Sequence, residues 1–268
     1  MREKPNATRE KFQSEAIPDL ETLTAIVEQE LSNMAKKFVK QYGIQAAPVY
    51  TLREALELYS LAKLRRTAKS FRMPGYTKKS KPELAAAIAD EVLQAERLEE
   101  ILYTEDEEVF EIFLDLMKVN NKEVPFSSIL NLEFLTLAGY VQCFLSGGTI
   151  YAVVPEEIKA LYSKLVQAGY PEKRKRARLL NDYAMAAVSL YGAIKQQDLV
   201  DIFNMQNEDK TDNDELFSCL IKFVAVNHGY CFYDEYIVAD SFAENNFEDL
   251  FEFVDIAASK PRYLPEKE

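Results

Sequence analysis

Glycine and proline are scarce in this chain, with 8 and 10 among 268 residues. That scarcity argues against a turn-rich sandwich or barrel and leaves long uninterrupted segments for helices. Histidine is rarer still. His228 is the only one, in "VNHGY", a turn beside a strand. A histidine-based dyad would need Cys219 or Cys231 next to it, and nothing in the spacing demands that. The three cysteines, Cys143, Cys219 and Cys231, are odd in number, far apart and without a Cys-x-x-Cys pair. Paired zinc spacing is therefore missing, and three mostly buried thiols in a reducing cytoplasm are expected. No run of about 18 apolar residues is available for a membrane span. The amino terminus, "MREKPNATREKFQSEAIPDLE", lacks the apolar stretch of a secretory signal. There is no Gly-x-x-x-x-Gly-Lys loop and no Gly-x-Ser-x-Gly turn, and acidic runs such as "TEDEEVFE" read as solvated helix faces. The expectation is a protein with no catalytic residue, no metal and no cofactor.

Hydrophobic residues make up 48% and charged residues 28%, enough for an adequate core in one large domain or two to three small ones. Residues 1–17 are polar and aperiodic, and a disordered tail is expected there. A helix follows Pro18-Asp19, with Leu23, Ile26, Val27, Leu31, Met34 and Phe38 at three- and four-residue steps, and Gly43 closes it. Thr51 with Glu54 has the form of a capping box for the next helix, which carries Leu52, Leu56, Leu61 and Leu64 and turns basic towards Lys69. Met73-Pro74-Gly75 breaks that helix. Ser80, Pro82 and Glu83 then open another, through Leu84, Ile88 and Val92.

The break between these helices belongs to a block with one sign of charge. Residues 59–82 carry Lys63, Arg65, Arg66, Lys69, Arg72, Lys78, Lys79 and Lys81 and no acid, so the rest of the chain holds −20 against a formal total of −12. Eight cations without a nearby anion raise a positive potential, and neutralising phosphates with them releases counterions. Phe71 and Tyr76 lie among them, where an exposed ring would stack on an unpaired base. Two plainer readings stay open: the lysines are solvated with Phe71 packed inside, or the block docks on the acidic remainder of the same chain.

The stretch "LAKLRRTAKSFRMPGYTKKSKPELAAAI" resembles the small amino-terminal helical domain of the bacterial Rho transcription terminator, and more loosely the SAP fold. Leu61, Leu64 and Ala68 match a Leu-x-x-Leu-x-x-x-Ala helix, Gly75 and Tyr76 the glycine turn, and Lys78, Lys81, Glu83, Leu84 and Ile88 the Lys-x-x-Lys-x-Glu-Leu helix start. Pro74 departs from the pattern, where a small or aliphatic residue is usual. The resemblance covers about residues 59–90 and implies a module that contacts nucleic acid or serves as a compact spacer.

Beyond Glu105 the element order changes. A helix around Val109 to Met117 and another over Phe126 to Ala138 precede "YVQCFLSGGTIYAVV", two strands around Ser146-Gly147-Gly148. Pro155 opens a helix through Leu165. Helices at 178–191, 197–205 and 214–226 then precede "HGYCFYDEYIVAD", two strands around Asp234-Glu235, and a last helix covers about 247–257. Helices followed by a hairpin, twice over, resemble tandem winged helices. Charge argues against DNA readout by the second unit: residues 195–245 hold three cations and eleven anions, with Asp212, Asp214 and Glu215 at the start of its third helix. A further basic run, "KRKRAR" at 173–178, is read as an exposed linker, with an extension of the positive strip as the alternative.

The resulting expectation is mainly α with small β-hairpins: a SAP/Rho-N-like helical module followed by tandem winged-helix-like units. The segments are a tail at 1–17, a helical region at 18–104 containing the module, units at 105–170 and 171–245, and a helix and tail at 246–268, whose polar end reads as continuing beyond Glu268. The expected function is non-enzymatic binding of DNA or RNA in transcription or regulation. The phosphate-contacting residues would be Lys63, Arg65, Arg66, Lys69, Arg72, Lys78, Lys79 and Lys81, with Tyr76 as the stacker. The alternative is a protein adaptor whose acidic winged-helix surface binds a basic partner of transcription or phage-related machinery. No membrane partner is expected.

Overall fold

The computed structural model describes residues 19–120, 122–124, 126–226 and 229–258. The expected tails and His228 lie outside these residues. Fourteen helices and six short strands are present among the described residues. Helix α1 (Leu20–Tyr42) starts at Asp19, whose carboxylate accepts from Thr22 N–H, and buries Ala35, Phe38 and Val39 in its second half only. Residues 20–30 are exposed all round. At its end the chain presses against strand β2 (Gln142–Ser146): Ile44 N–H donates to Cys143 O and Leu145 N–H to Ile44 O, both at 2.8 Å. Gly43 is required by this approach, because a Cβ there would stand 2.6 Å from Cys143 O.

The expected helix from Thr51 to Lys69 is two helices, α2 (Leu52–Leu58) and α3 (Leu61–Ser70). Thr51 and Glu54 form the capping box of α2. The interruption follows from Ser60, whose side chain caps α3 by accepting from Lys63 N–H, and from Tyr59, extended and buried with its hydroxyl donating to Gln142 at 2.7 Å. A 3-10 turn at Tyr76–Lys78 leads to α4 (Lys81–Val92), capped by the box of Ser80 and Glu83. Helices α5 (Ala95–Thr104) and α6 (Glu107–Met117) follow.

From there the two halves share one order of elements. The first runs α6, β1 (Lys122–Glu123), α7 (Phe126–Asn131), α8 (Glu133–Leu137), β2 and β3 (Thr149–Val153), with sheet order β1-β3-β2. The single helix expected over 126–138 is therefore split at Leu132. Helix α9 (Glu156–Gln167) leads to the second half. That half runs α10 (Tyr170–Tyr191), β4 (Ala193–Lys195), α11 (Gln196–Gln206), α12 (Asn213–Val224), β5 (Tyr230–Tyr233) and β6 (Tyr236–Ala239), with sheet order β4-β6-β5. All pairing in both sheets is antiparallel. Each expected hairpin gains a third strand, two or three residues long, too short to leave a periodic trace. Gly147 and Gly148, at φ 58° and 87°, make the two-residue turn between β2 and β3 that needs left-handed backbone. Helices α13 (Asp240–Glu244) and α14 (Leu250–Ala258) complete the described chain.

One core runs from Ala35 on α1 to Tyr170 and includes Leu64 and Ala68 of the basic segment, with Leu56 before it and Leu84 and Ile88 after it. That segment is thus rooted in the same interior as the first sheet. A second core joins α10, α11, α12 and the second sheet, and it also takes in Tyr103 from α5.

The "KRKRAR" run corrects the linker expectation. It lies inside α10, and Arg174 is 3% exposed. Its guanidinium donates to Leu102 O at 2.9 Å, Glu105 O at 2.7 Å and the Glu107 carboxylate at 2.5 Å, and stacks 3.8 Å from the Phe110 ring centroid. Arg176 forks onto Glu215 and donates to the Asp209 and Lys210 carbonyls. Lys173 pairs with Glu99, and Arg178 approaches Asp106. These cations fasten α10 to the turn between α5 and α6 and to the start of α12. They do not extend a positive strip.

Candidate nucleic-acid interface

Helix α3 buries Leu64 and Ala68 and turns Arg65, Arg66 and Lys69 outward. This division follows from the 3.6-residue period, which puts 61, 64 and 68 on one stripe and the arginines between them. The chain then reverses through Arg72, at φ 54°, and Gly75, at φ 67°. A Cβ at Gly75 would meet nothing within 4 Å, so its glycine serves the left-handed backbone and not a close approach. Arg65 donates to Thr77 O at 3.3 Å and ties the helix to the 3-10 turn. Lys81 donates to Glu57 O at 2.7 Å and thereby satisfies a carbonyl at the end of α2.

The charges of this segment are held apart from carboxylates, except that Lys79 lies close enough to Glu83 to add to the lowering of that carboxyl by its hydrogen bonds to Ser80. Among the described residues, no ion pair includes any of its eight cations. Elsewhere, Arg97 pairs with Glu91, Arg174 with Glu107, Arg176 with Glu215 and Lys195 with Glu235. Arg65, Arg66, Lys69, Arg72, Lys78 and Lys81 are exposed, and Lys79 is half-buried.

Lys63 is placed differently from the other seven. Its ammonium turns inward and donates to Tyr42 O and, at 2.6 Å, to Gly43 O, while lying 3.7 Å from the Tyr59 ring centroid. Burial pulls it down to about 7, with Arg66 adding to the pull and Cys143 opposing it. Its first duty is to close the carboxyl end of α1. Phe71 packs on the core beneath the Arg97 guanidinium, 4.0 Å from its centroid, and is committed there. Tyr76 is half-buried against the same core, so at most part of its ring faces outward.

Sequence reasoning missed Lys40. It sits in the last turn of α1 and lines one cleft together with Lys63 and Arg66. The signal was present in "AKKFVK", but assigning that lysine to the basic segment needs the fold that brings α1 beside α3. Among the described residues no group of histidine, cysteine and carboxylate side chains has metal-binding geometry, and no helix is long and apolar enough to cross a membrane. No protein-family model matches the chain, and no curated protein or solved structure does either.

Proposed function

We propose that this chain is a non-enzymatic nucleic-acid-binding protein that holds the phosphate backbone with Arg65, Arg66, Lys69, Arg72, Lys78, Lys79 and Lys81, in a role in transcription or its regulation. In this reading, residues 59–90 form a SAP/Rho-N-like module, and the two halves with a common element order are winged-helix-like units. One observation carries it: among the described residues these seven outward or half-outward cations make no ion pair in a protein of net charge −12, with only a longer-range attraction of Lys79 to Glu83 noted, whereas the described arginines elsewhere are paired. Counterion release upon phosphate contact then supplies the affinity. The intact chain, titrated into labelled single- and double-stranded oligonucleotides at low salt, should retain them. Replacing Lys78, Lys79 and Lys81 by Glu should abolish retention. An intact chain that retains neither strand form at low salt ends the proposal.

A second reading has its own support. Helix α12 exposes Phe217 and Ile221, one turn apart, beside the acidic start at Asp214, a surface suited to a basic protein with apolar anchors. Capture of such a partner by the Lys78→Glu, Lys79→Glu, Lys81→Glu chain would favour it.

A further inference from the structure

The cleft between the end of α1 and the start of α3 measures about 350 Å³. Three of its lining residues are cations, Lys40, Lys63 and Arg66, and none is an acid. Its other walls are apolar at Ile44 and Leu58 and polar at Gln41 and Ser60. Arg66 makes no ion pair among the described residues, and its guanidinium carbon lies 5.9 Å from the Tyr42 ring centroid. Lys63 is held from behind by two carbonyls, which fix its position without neutralising it. This half-buried ammonium is held by two carbonyls and the Tyr59 ring but by no anion, and an anion in the cleft would supply the missing opposite charge. The lowered affinity of Lys63 for its proton agrees with a partly desolvated ammonium that has no carboxylate beside it. The start of the ten-residue helix α3 also borders the cleft at Ser60 and Ala62, so first-turn amides without helical acceptors add positive potential.

We infer that this cleft is a binding site for a phosphate monoester, reached by the strand that runs over the basic module. Charge favours the monoester over an internal phosphodiester. A monoester carries nearly two negative charges at neutral pH, against one for a diester. The ligand is then the phosphorylated end of a nucleic-acid strand or a free nucleoside monophosphate. The strand-end form rests on the nucleic-acid reading above; the free-monoester form does not.

The test uses the full chain and three probes: an oligonucleotide bearing a terminal phosphate at either end, the same oligonucleotide with hydroxyl ends, and adenosine monophosphate. A terminal phosphate on at least one end should raise affinity about fivefold or more over the hydroxyl-ended strand, or adenosine monophosphate should bind by calorimetry at millimolar concentration or below. The first result identifies the strand end as the ligand and the second the free monoester. In the Lys40→Gln, Arg66→Gln chain, checked for unchanged circular dichroism, the phosphate-dependent gain should fall to within twofold of none. Equal binding of phosphate- and hydroxyl-ended strands together with no monophosphate binding overturns the inference. So does a gain that survives both substitutions. Failure of the hydroxyl-ended strand to bind at all counts against the nucleic-acid reading and leaves the monophosphate measurement to decide the cleft.

Discussion

Replacing Arg174 by Met should be among the most destabilising single changes available in this protein. The guanidinium is 3% exposed and satisfies two backbone carbonyls, Leu102 O at 2.9 Å and Glu105 O at 2.7 Å, near the end of α5. Without it both carbonyls lose their partner in a region methionine seals from water, at about 1–3 kcal/mol each. The Glu107 contact matters less, although it is the shortest at 2.5 Å, because that carboxylate is 58% exposed and returns to solvent, a loss of about 0–1 kcal/mol. These terms add to about 2–7 kcal/mol, reduced somewhat by packing of the methionine on Phe110. Urea unfolding followed by far-UV circular dichroism measures it. A double-mutant cycle with Glu107→Gln should give a coupling below about 1 kcal/mol, since most of the cost resides in the carbonyls. A total loss under about 1 kcal/mol, or a coupling that accounts for the entire loss, would refute the reasoning.

Three further outcomes are expected. Burial, with Asp106 adding and Arg174 opposing, raises the Glu105 carboxyl to about 7, and its Oε1 is buried without a partner. The folded state therefore holds a proton that the unfolded state releases between about pH 4.5 and 7, so stability falls as pH rises through that window. Glu105→Gln should remove that slope and stabilise the protein at pH 8, as read by urea midpoints across pH. Gly43→Ala places a Cβ 2.6 Å from Cys143 O and 2.4 Å from Val39 Cγ1, and should lower stability by about 1–3 kcal/mol in the same assay. Cys143 is buried, and its thiol is pushed up to about 11, whereas Cys231 is half-buried. Iodoacetamide at pH 8 should label Cys231 first in the native protein and reach Cys143 only after unfolding, as peptide mass spectrometry would record.

What the sequence announced were features with short-range causes. Both capping boxes, Thr51 with Glu54 and Ser80 with Glu83, and the Gly147-Gly148 turn depend on residues three or fewer apart. The interruption at Tyr59 and Ser60 has one local cause, the Ser60 cap on α3, and one distant cause, the bond of Tyr59 to Gln142, 83 residues away, which left no periodic trace. Cation number in the basic segment was countable, but the lack of ion pairs is a three-dimensional property. Arg174 was the misleading case, because Arg174 and Lys175 read alike in a charge run. Its position was nonetheless encoded: 174 falls on the same stripe as Ala177, Asn181, Ala184 and Val188, all buried on α10. Lys40 needed α1 beside α3 before it could be assigned a role, and so did the inward turn of Lys63, which the sequence had placed among the phosphate contacts.

Helix α10 places Tyr170 in one interior and Ala177 through Val188 in the other along a single 22-residue rod. A chain cut at residue 170 would strip Glu99, Asp106 and Glu107 of their basic partners and leave the Leu102 and Glu105 carbonyls bare, while its complement would lose the tyrosine from α5 that lies 5.4 Å from Phe223. Fragments divided there would each misreport the behaviour of the half they were meant to represent.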